Sequence, residues 1–582
     1  MRSQSPPTKR RVPDMLSNLM RALSFARIAK SRRDAVPRAA RKRLTQAARE
    51  HFGWQELRPA QLTAMSALLR RRDALVVLPT GAGKSAVYQV PATLLPGPTV
   101  VISPLLALQH DQLSGLNGRD NPKLRGVRVS SAETPAQQER AIEAIRDGSA
   151  EFLFITPEQL ANPQRRAQVR ELRPSLVAVD EAHCISSWGH DFRPDYLALG
   201  HYLRDLGRPT IVALTATASP PVREDIVERL GLTDPATIIS GLDRPNLTLT
   251  AVHCPTEEHR WRRLLAVLDR VKGTGIIYVP TRRAAEETAE KLTAKGYEAQ
   301  AYHGAMAAGA RAKRHEDFLD DRIPIMVATS AFGMGIDKPD IRWIIHLALP
   351  DSPDSYLQEI GRAGRDGQHS DTYLLYRGED VSLQRYFTGG APDAEEIAAL
   401  AAVLREKPST RTALRERTGL GQRKLAQLLA LLEQIGVLVV DGNNLRVPPH
   451  APEPAEAALL ALAAAERHIT VSRSRIDMMR AYAESESCRT RLLLAYFGEE
   501  LADTCGHCDN CADGSAAEEL AETENTERPF ALNTTVHHKE WGSGMVLGYE
   551  GDRMTVLFDD VGYKTLSVPV VVAGGLLAHA AA

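Results

Sequence analysis

The chain has 582 residues, too many for one hydrophobic core, and at roughly 150 residues per domain the length suggests about four units. A composition of 43% hydrophobic and 25% charged residues is that of an ordinary globular protein, and 72 Lys+Arg balance 72 Asp+Glu, so net charge points to no partner class. No apolar run is long enough for a spanning helix, no secretory leader pattern opens the chain, and six cysteines are too few for a disulfide scaffold, so a cytoplasmic protein with no membrane partner is expected.

Residues 1–43 hold 13 Lys/Arg against two acids, Asp14 and Asp34. They read as a basic, disordered extension, with a nucleic-acid-binding arm as the alternative. From about residue 51, short apolar runs alternate with helix-length segments: 74–78, 99–103, 151–155, 175–180 and 210–214, then 275–279, 323–328, 342–346 and 372–376. Apolar strands separated by helices mean parallel sheets covered on both faces. Two α/β domains are therefore expected, 44–245 and 246–390, joined near Gly241–Pro245.

After Gly389–Gly390 the texture changes. Residues 394–434 predict three amphipathic helices, and GVLVVDGNNLRV predicts two strands around a turn, a winged-helix pattern over 391–450. A helical module follows at 456–512. Residues 513–527 carry six acids without a basic residue, and 513–528 reads as a solvated acidic linker. Short strands with glycine-rich turns over 529–575 predict a small barrel.

LPTGAGKS (78–85) follows the first apolar run and opens a helix. Its small residues Thr80, Gly81, Ala82 and Gly83 leave backbone N–H groups free to face phosphates at a helix N-terminus. Lys84 is expected to reach the β/γ-phosphates of ATP and Ser85 to ligate Mg²⁺. Asp180-Glu181-Ala182-His183 ends another strand, at the sheet edge where open α/β folds bind ligands. There Asp180 suits the Mg²⁺ and Glu181 the attacking water.

With ALTATA (213–218), these segments resemble the motor of superfamily 2 helicases, built from two RecA-like domains. The aromatic-rich stretch that follows, Ser187 to Tyr196, resembles that of RecQ helicases. The resemblance implies that Trp188, His190, Phe192 and Arg193 contact single-stranded DNA, and aromatic stacking on bases, worth about 1–3 kcal/mol each, suits sequence-independent binding. It also implies that Arg58 and Gln61 read adenine, although Leu57 and Ala60 replace the family's usual Phe and Gly. In YLQEIGRAGRDG (356–367) it implies an arginine finger at Arg365, supported by Arg362 and Gln358. It marks Gly335 and Asp337 in VATSAFGMGIDKPD, and makes His183 part of the catalytic set.

Cys488, Cys505, Cys508 and Cys511 form C-x16-C-x2-C-x2-C, a four-thiolate set suited to structural Zn²⁺, with an iron–sulfur cluster as the rival. His507 is surplus to that set and expected to face solvent. RecQ proteins carry a nearly identical string, but their winged helix usually follows the zinc module, whereas here its counterpart precedes it. The tail, with Val536, His538, Trp541, Gly542, Gly544 and Val546, is similar to the small Tudor-like barrel of UvrD-type helicases, which contacts proteins such as RNA polymerase.

The resemblance thus implies an ATP-dependent 3′-to-5′ DNA helicase of RecQ type acting on single-stranded and partly duplex DNA in repair or recombination, with nucleoid association. The alternatives are an ATP-driven translocase or remodeller that unwinds weakly, and a non-catalytic DNA-docking adaptor.

Overall fold

The computed structural model describes residues 35–104, 106–119, 121–186, 196–333, 336, 338–441 and 444–579. Chain entry is helical earlier than the basic composition suggests. Helix Arg38–Ala47 begins inside the stretch read as an extension, while its buried residues, Leu44 and Ala47, lie just past that stretch, in the segment read as the first α/β domain.

The first sheet has seven strands: β1 Ala74–Val77, β2 Thr99–Ile102, β3 Gly126–Val129, β4 Phe152–Ile155, β5 Leu176–Val179, β6 Thr210–Thr215 and β7 Ala236–Ile239. Their order is β3-β4-β2-β5-β6-β1-β7, all parallel. Alternate side chains of each strand enter opposite cores. Leu75 and Val77 join one cluster, Ala74 and Val76 the other, and β2, β4 and β5 divide in the same way. Burial on both faces is why these strands carry no polar alternation.

A second parallel sheet contains β8 Leu247–His253, β9 Gly275–Tyr278, β10 Ala299–Tyr302, β11 Ile325–Ala328, β12 Trp343–His346 and β13 Ser370–Tyr376. Its order is β10-β11-β9-β12-β13-β8. The chain therefore has the two RecA-like parallel-sheet domains expected of it.

The next unit packs helices Ala394–Glu406, Arg411–Thr418 and Gln422–Gln434 against a hairpin of β14 Val439–Asp441 and β15 Asn444–Arg446. Ser409 and Leu445 exchange backbone hydrogen bonds that pin the hairpin to the helices. Its core is completed by Ala457, Ala458 and Ala461 of the long helix Pro454–Glu484. The far half of that helix gives Ile476, Met479 and Tyr482 to the core of the second α/β domain.

The zinc-module helix Arg489–Tyr496 follows, then helix Ser515–Asn525, which occupies most of the stretch read as a linker. Two of its side chains explain the difference. Ala516 is fully buried, and Glu519 and Thr523 accept hydrogen bonds from Gly551 N, so one face of this acidic helix has a partner.

The tail is a five-stranded antiparallel sheet of β16 Thr535–His538, β17 Gly542–Glu550, β18 Arg553–Phe558, β19 Gly562–Ser567 and β20 Leu577–His579, in the order β19-β18-β17-β16-β20. Among the described residues no pairing joins β19 to β20, so strand pairing by itself does not close the small barrel expected here. Val536, Val546, Val556 and Phe558 fill one face; Leu547, Leu557 and Tyr563 pack instead into the first α/β domain. Among the described residues no helix is long and apolar enough to cross a membrane.

Candidate functional site

The loop after β1 turns through two glycines with left-handed backbone, Gly81 (φ 78°) and Gly83 (φ 75°). Side-chain space there is also closed: a Cβ at Gly83 would lie 2.7 Å from Gln61 Nε2, and one at Gly81 would lie 3.0 Å from the Arg365 stem. Among the described residues, none accepts a hydrogen bond from the backbone N–H of Gly83, Lys84 or Ser85. Free amides at a helix start form a cradle for phosphate oxygens. The Lys84 ammonium donates to Leu78 O at 3.2 Å. Burial lowers its pKa, while Glu181 and Asp180 oppose that shift.

Asp180 lies just past the end of β5. Burial pushes its carboxyl upward, the nearby Lys84 pulls it back, and Gln112 Nε2 donates to its Oδ2 at 3.2 Å. Glu181 holds a left-handed backbone (φ 48°), a strained conformation for a non-glycine that costs about 1 kcal/mol or more. His183 is buried, with Nδ1 2.9 Å from Thr215 Oγ1 and 3.4 Å from Glu181 Oε2. Thr215 in turn donates to Thr217 O at 2.9 Å, so the DEAH segment and ALTATA share one hydrogen-bond chain.

Lys84, Gln112, Asp180 and Glu181 line a cleft of about 390 Å³ with Thr80, Gly81, Gly83, Ser85, Gln358, Arg362 and Arg365. The last three belong to the second α/β domain. The Arg365 stem packs on Gly81 while its guanidinium donates to Ile336 O, and Arg362, 4% exposed, donates to Gly333 O. A neighbouring cavity of about 440 Å³ is lined by Arg58, Gln61, Ala82, Arg244 and Arg365. Gln61 is engaged with the loop: its Oε1 accepts from Arg58 N, and its Nε2 donates to Ala82 O and Gly83 O at 3.0 and 3.1 Å.

Trp188, His190, Phe192 and Arg193 lie outside the described residues, as do Gly335 and Asp337. Both flanks of the aromatic stretch are anchored. Ser186 Oγ donates to Asp225 at 2.6 Å, and the buried Tyr196 hydroxyl donates to Asp180 O at 3.2 Å. Gln112, Thr215 and Arg244 are contributors that motif reading did not assign. Thr215 stands inside a quoted segment, whereas Gln112 sits mid-helix with no local signal.

The four cysteine sulfurs all lie within 4.8 Å of one another. A tetrahedron with Zn–S bonds of about 2.3 Å has edges of about 3.8 Å. Cys505–Cys511 at 3.8 Å and Cys508–Cys511 at 3.4 Å match it. His507 is half-buried, its ring held 2.6 Å from Cys505 O, which is why it does not simply face solvent. Asp509 ties this module to the second domain, accepting from Arg489 Nε and from Ala251 N of β8.

Residues 58–226 match the DEAD/DEAH box helicase family, 259–367 the helicase conserved C-terminal domain, and 456–512 the RecQ zinc-binding family. The ATP-dependent DNA helicase RecQ of Bacillus subtilis is 32% identical over 85% of this chain and 71% of its own length. The chain belongs to the RecQ helicase family. Another B. subtilis relative, probable ATP-dependent DNA helicase RecS, is 35% identical over 67% of this chain and 79% of its own. The RecQ of Synechocystis is 33% identical over 82% of this chain and 99% of its own. The helicase domains imply ATP with Mg²⁺, and the RecQ zinc-binding family together with the four-cysteine cluster supports Zn²⁺.

Proposed function

We propose that this chain, an ATP-dependent DNA helicase of RecQ type, tracks 3′ to 5′ along single-stranded DNA and separates duplex during repair or recombination, at the nucleoid in the cytoplasm. The observation that carries the mechanism is Arg365 of the second domain lying on Gly81 of the phosphate loop, beside Lys84, Asp180 and Glu181. Catalytic groups split between two domains act together only when the domains close.

Bound ATP with Mg²⁺ supplies the phosphoanhydride bond and a charge-neutralising cation. Around it Lys84 and the loop amides hold phosphate oxygens, Ser85 and Asp180 hold the cation, and Glu181 orients the attacking water. Arg365 places positive charge on the transferring phosphoryl group, with Arg362 and Gln358 beside it. Arg58 and Gln61 face the adenine from the neighbouring cavity, and for that contact the Gln61 amide has to share or exchange its loop partners. His183 relays the state of Glu181 to Thr215 and the ALTATA segment. Trp188, His190, Phe192 and Arg193 stack on and pair with the DNA strand, and Gly335 and Asp337 report that contact to the cleft.

The domain division follows these roles: ATP-binding 44–245, closing 246–390, winged-helix-like 391–450, zinc module 456–512 and C-terminal sheet 529–575. That sheet also offers a protein partner, RNA polymerase in our reading, the exposed Val570 and Val572 on helix Val568–Gly574.

ATP hydrolysis and strand separation measured together on 3′-tailed and 5′-tailed duplexes test the proposal. DNA-stimulated hydrolysis with unwinding from the 3′ tail alone is expected; unwinding from the 5′ tail sinks the direction. Hydrolysis without unwinding favours a translocase or remodeller, the reading that the early placement of the three-helix unit supports.

A further inference from the structure

The face of the C-terminal sheet opposite its own core meets both motor domains at one buried cluster. Tyr563 of β19 stacks on Tyr496 of the zinc module, centroids 4.8 Å apart at 16°. Tyr563 N donates to Ser474 Oγ of the long helix at 3.0 Å. The Tyr496 hydroxyl donates to Asp354, which is 2% exposed in the first turn of helix Pro353–Ile360. The buried Arg475 guanidinium has Tyr496, Asp354, Tyr563 and Asp351 as its charged and phenolic neighbours.

The same cluster grips the first domain. Arg223, on helix Pro220–Leu230, donates to Phe497 O and, at 3.1 Å, to Ala218 O at the end of ALTATA. Leu494, Phe497, Leu547, Leu557 and Tyr563 share a core with Val222 and Ile226 of that helix. Asp225, on the same helix, accepts from Ser186 at the start of the aromatic stretch.

Helix Pro353–Ile360 runs directly into Arg362 and Arg365. Its first turn is therefore held by a tyrosine that a C-terminal residue covers, while its far end presents the guanidinium groups to the phosphate loop. Asp354 and Arg475 are buried charges, and such groups tolerate little displacement of their partners, because an unpaired buried charge is strongly disfavoured.

We propose that Tyr496 and Tyr563 are positioning residues for ATP hydrolysis: through Asp354 they set the register of the arginine-bearing helix against the phosphate loop, making the C-terminal sheet a working part of the motor. The proposal rests on the reading of Arg362 and Arg365 as groups that complete the ATP site.

The test uses the full-length, zinc-loaded protein and reads kcat and KM for ATP at saturating single-stranded DNA, DNA affinity, and zinc content. Tyr496→Phe removes only the hydroxyl, and kcat should fall about fivefold with KM, DNA affinity and zinc within about twofold of the parent. Tyr563→Ala should lower kcat about tenfold in the same selective way, and Tyr563→Phe, which keeps the stacked ring, should restore at least about half of it. Parental kcat in Tyr496→Phe and Tyr563→Ala overturns the proposal, as does a loss that tracks zinc or DNA affinity. Arg365→Ala separates the two ideas: full hydrolysis in that variant removes the arginine reading itself, whereas an inactive Arg365→Ala beside normal tyrosine variants removes only the positioning role.

Discussion

The zinc ligands all come from one short stretch between Cys488 and Cys511, whereas the residues lining the nucleotide cleft run from Thr80 in the first domain to Arg365 in the second. The zinc site is closed by turns and two helices, Arg489–Tyr496 after Cys488 and Asp509–Asp513 with Cys511, and Asp509, Arg489 and Asn510 lash it to its surroundings. The cleft lies between residues carried by two separate α/β domains. A site whose ligands share one local framework is suited to staying fixed; a site shared between domains is suited to opening and closing with each turnover.

The largest effect that would break this comparison comes from Lys84→Ala, where hydrolysis should fall by about a thousandfold or more because phosphate charge loses its principal cation. Single-stranded DNA binding should persist, and steady-state ATPase beside fluorescence anisotropy reads both; near-normal turnover would remove the phosphate-loop assignment. At the other site, Cys508→Ser should reduce zinc from one per chain to less than half by elemental analysis. It should also lower the thermal midpoint, since metal binding free energy is folding free energy here. Retention of a full zinc complement, or iron in its place, would refute the four-thiolate site.

Trp188→Ala sharpens the contrast from the DNA side. Stimulation of ATPase by single-stranded DNA should drop about tenfold while basal hydrolysis stays within about twofold, as expected from losing one base stack. Unchanged stimulation would discard the stacking role.

The smallest effect concerns stability alone. Glu151 sits before β4 with Oε1 buried and without a hydrogen-bond partner, and burial pushes its pKa up to about 8. A carboxyl raised in the fold contributes stability that is complete below the unfolded value near 4.5 and is lost as pH rises through 8. Glu151→Gln should therefore melt a little higher than the parent at pH 8.5, by about 1–3 °C, and show no advantage at pH 4. An equal shift at both pH values would contradict the burial account, and ATPase should be unaffected.

Central strands were legible because both of their faces are buried, which leaves unbroken runs such as Ala74–Val77 and Leu176–Val179. Edge strands were not. Gly126–Val129 and Ala299–Tyr302 are partly exposed, so their composition mixes Arg and Gln with apolar residues and carries no clear period. Helix Ser515–Asn525 was hidden for a related reason. Its six-acid neighbourhood reads as solvated chain, and only the packing of Ala516 and the contacts of Glu519 and Thr523 with Gly551 reveal a buried face.

Locally encoded chemistry was determined by the amino-acid order itself: the small-residue loop before Lys84, the carboxylates at the end of a strand, and four cysteines at metal spacing all act over a few residues of backbone. His538 and Trp541 belong with these, stacking 4.2 Å apart across the tight turn before β17. The tertiary structure alone decided what lies across from each motif. Gln112 reaches Asp180, Thr215 receives His183, Arg365 rests on Gly81, and Tyr563 covers Tyr496 above Asp354. Such pairings depend on how sheets and helices are stacked, and no spacing rule along the chain records that stacking.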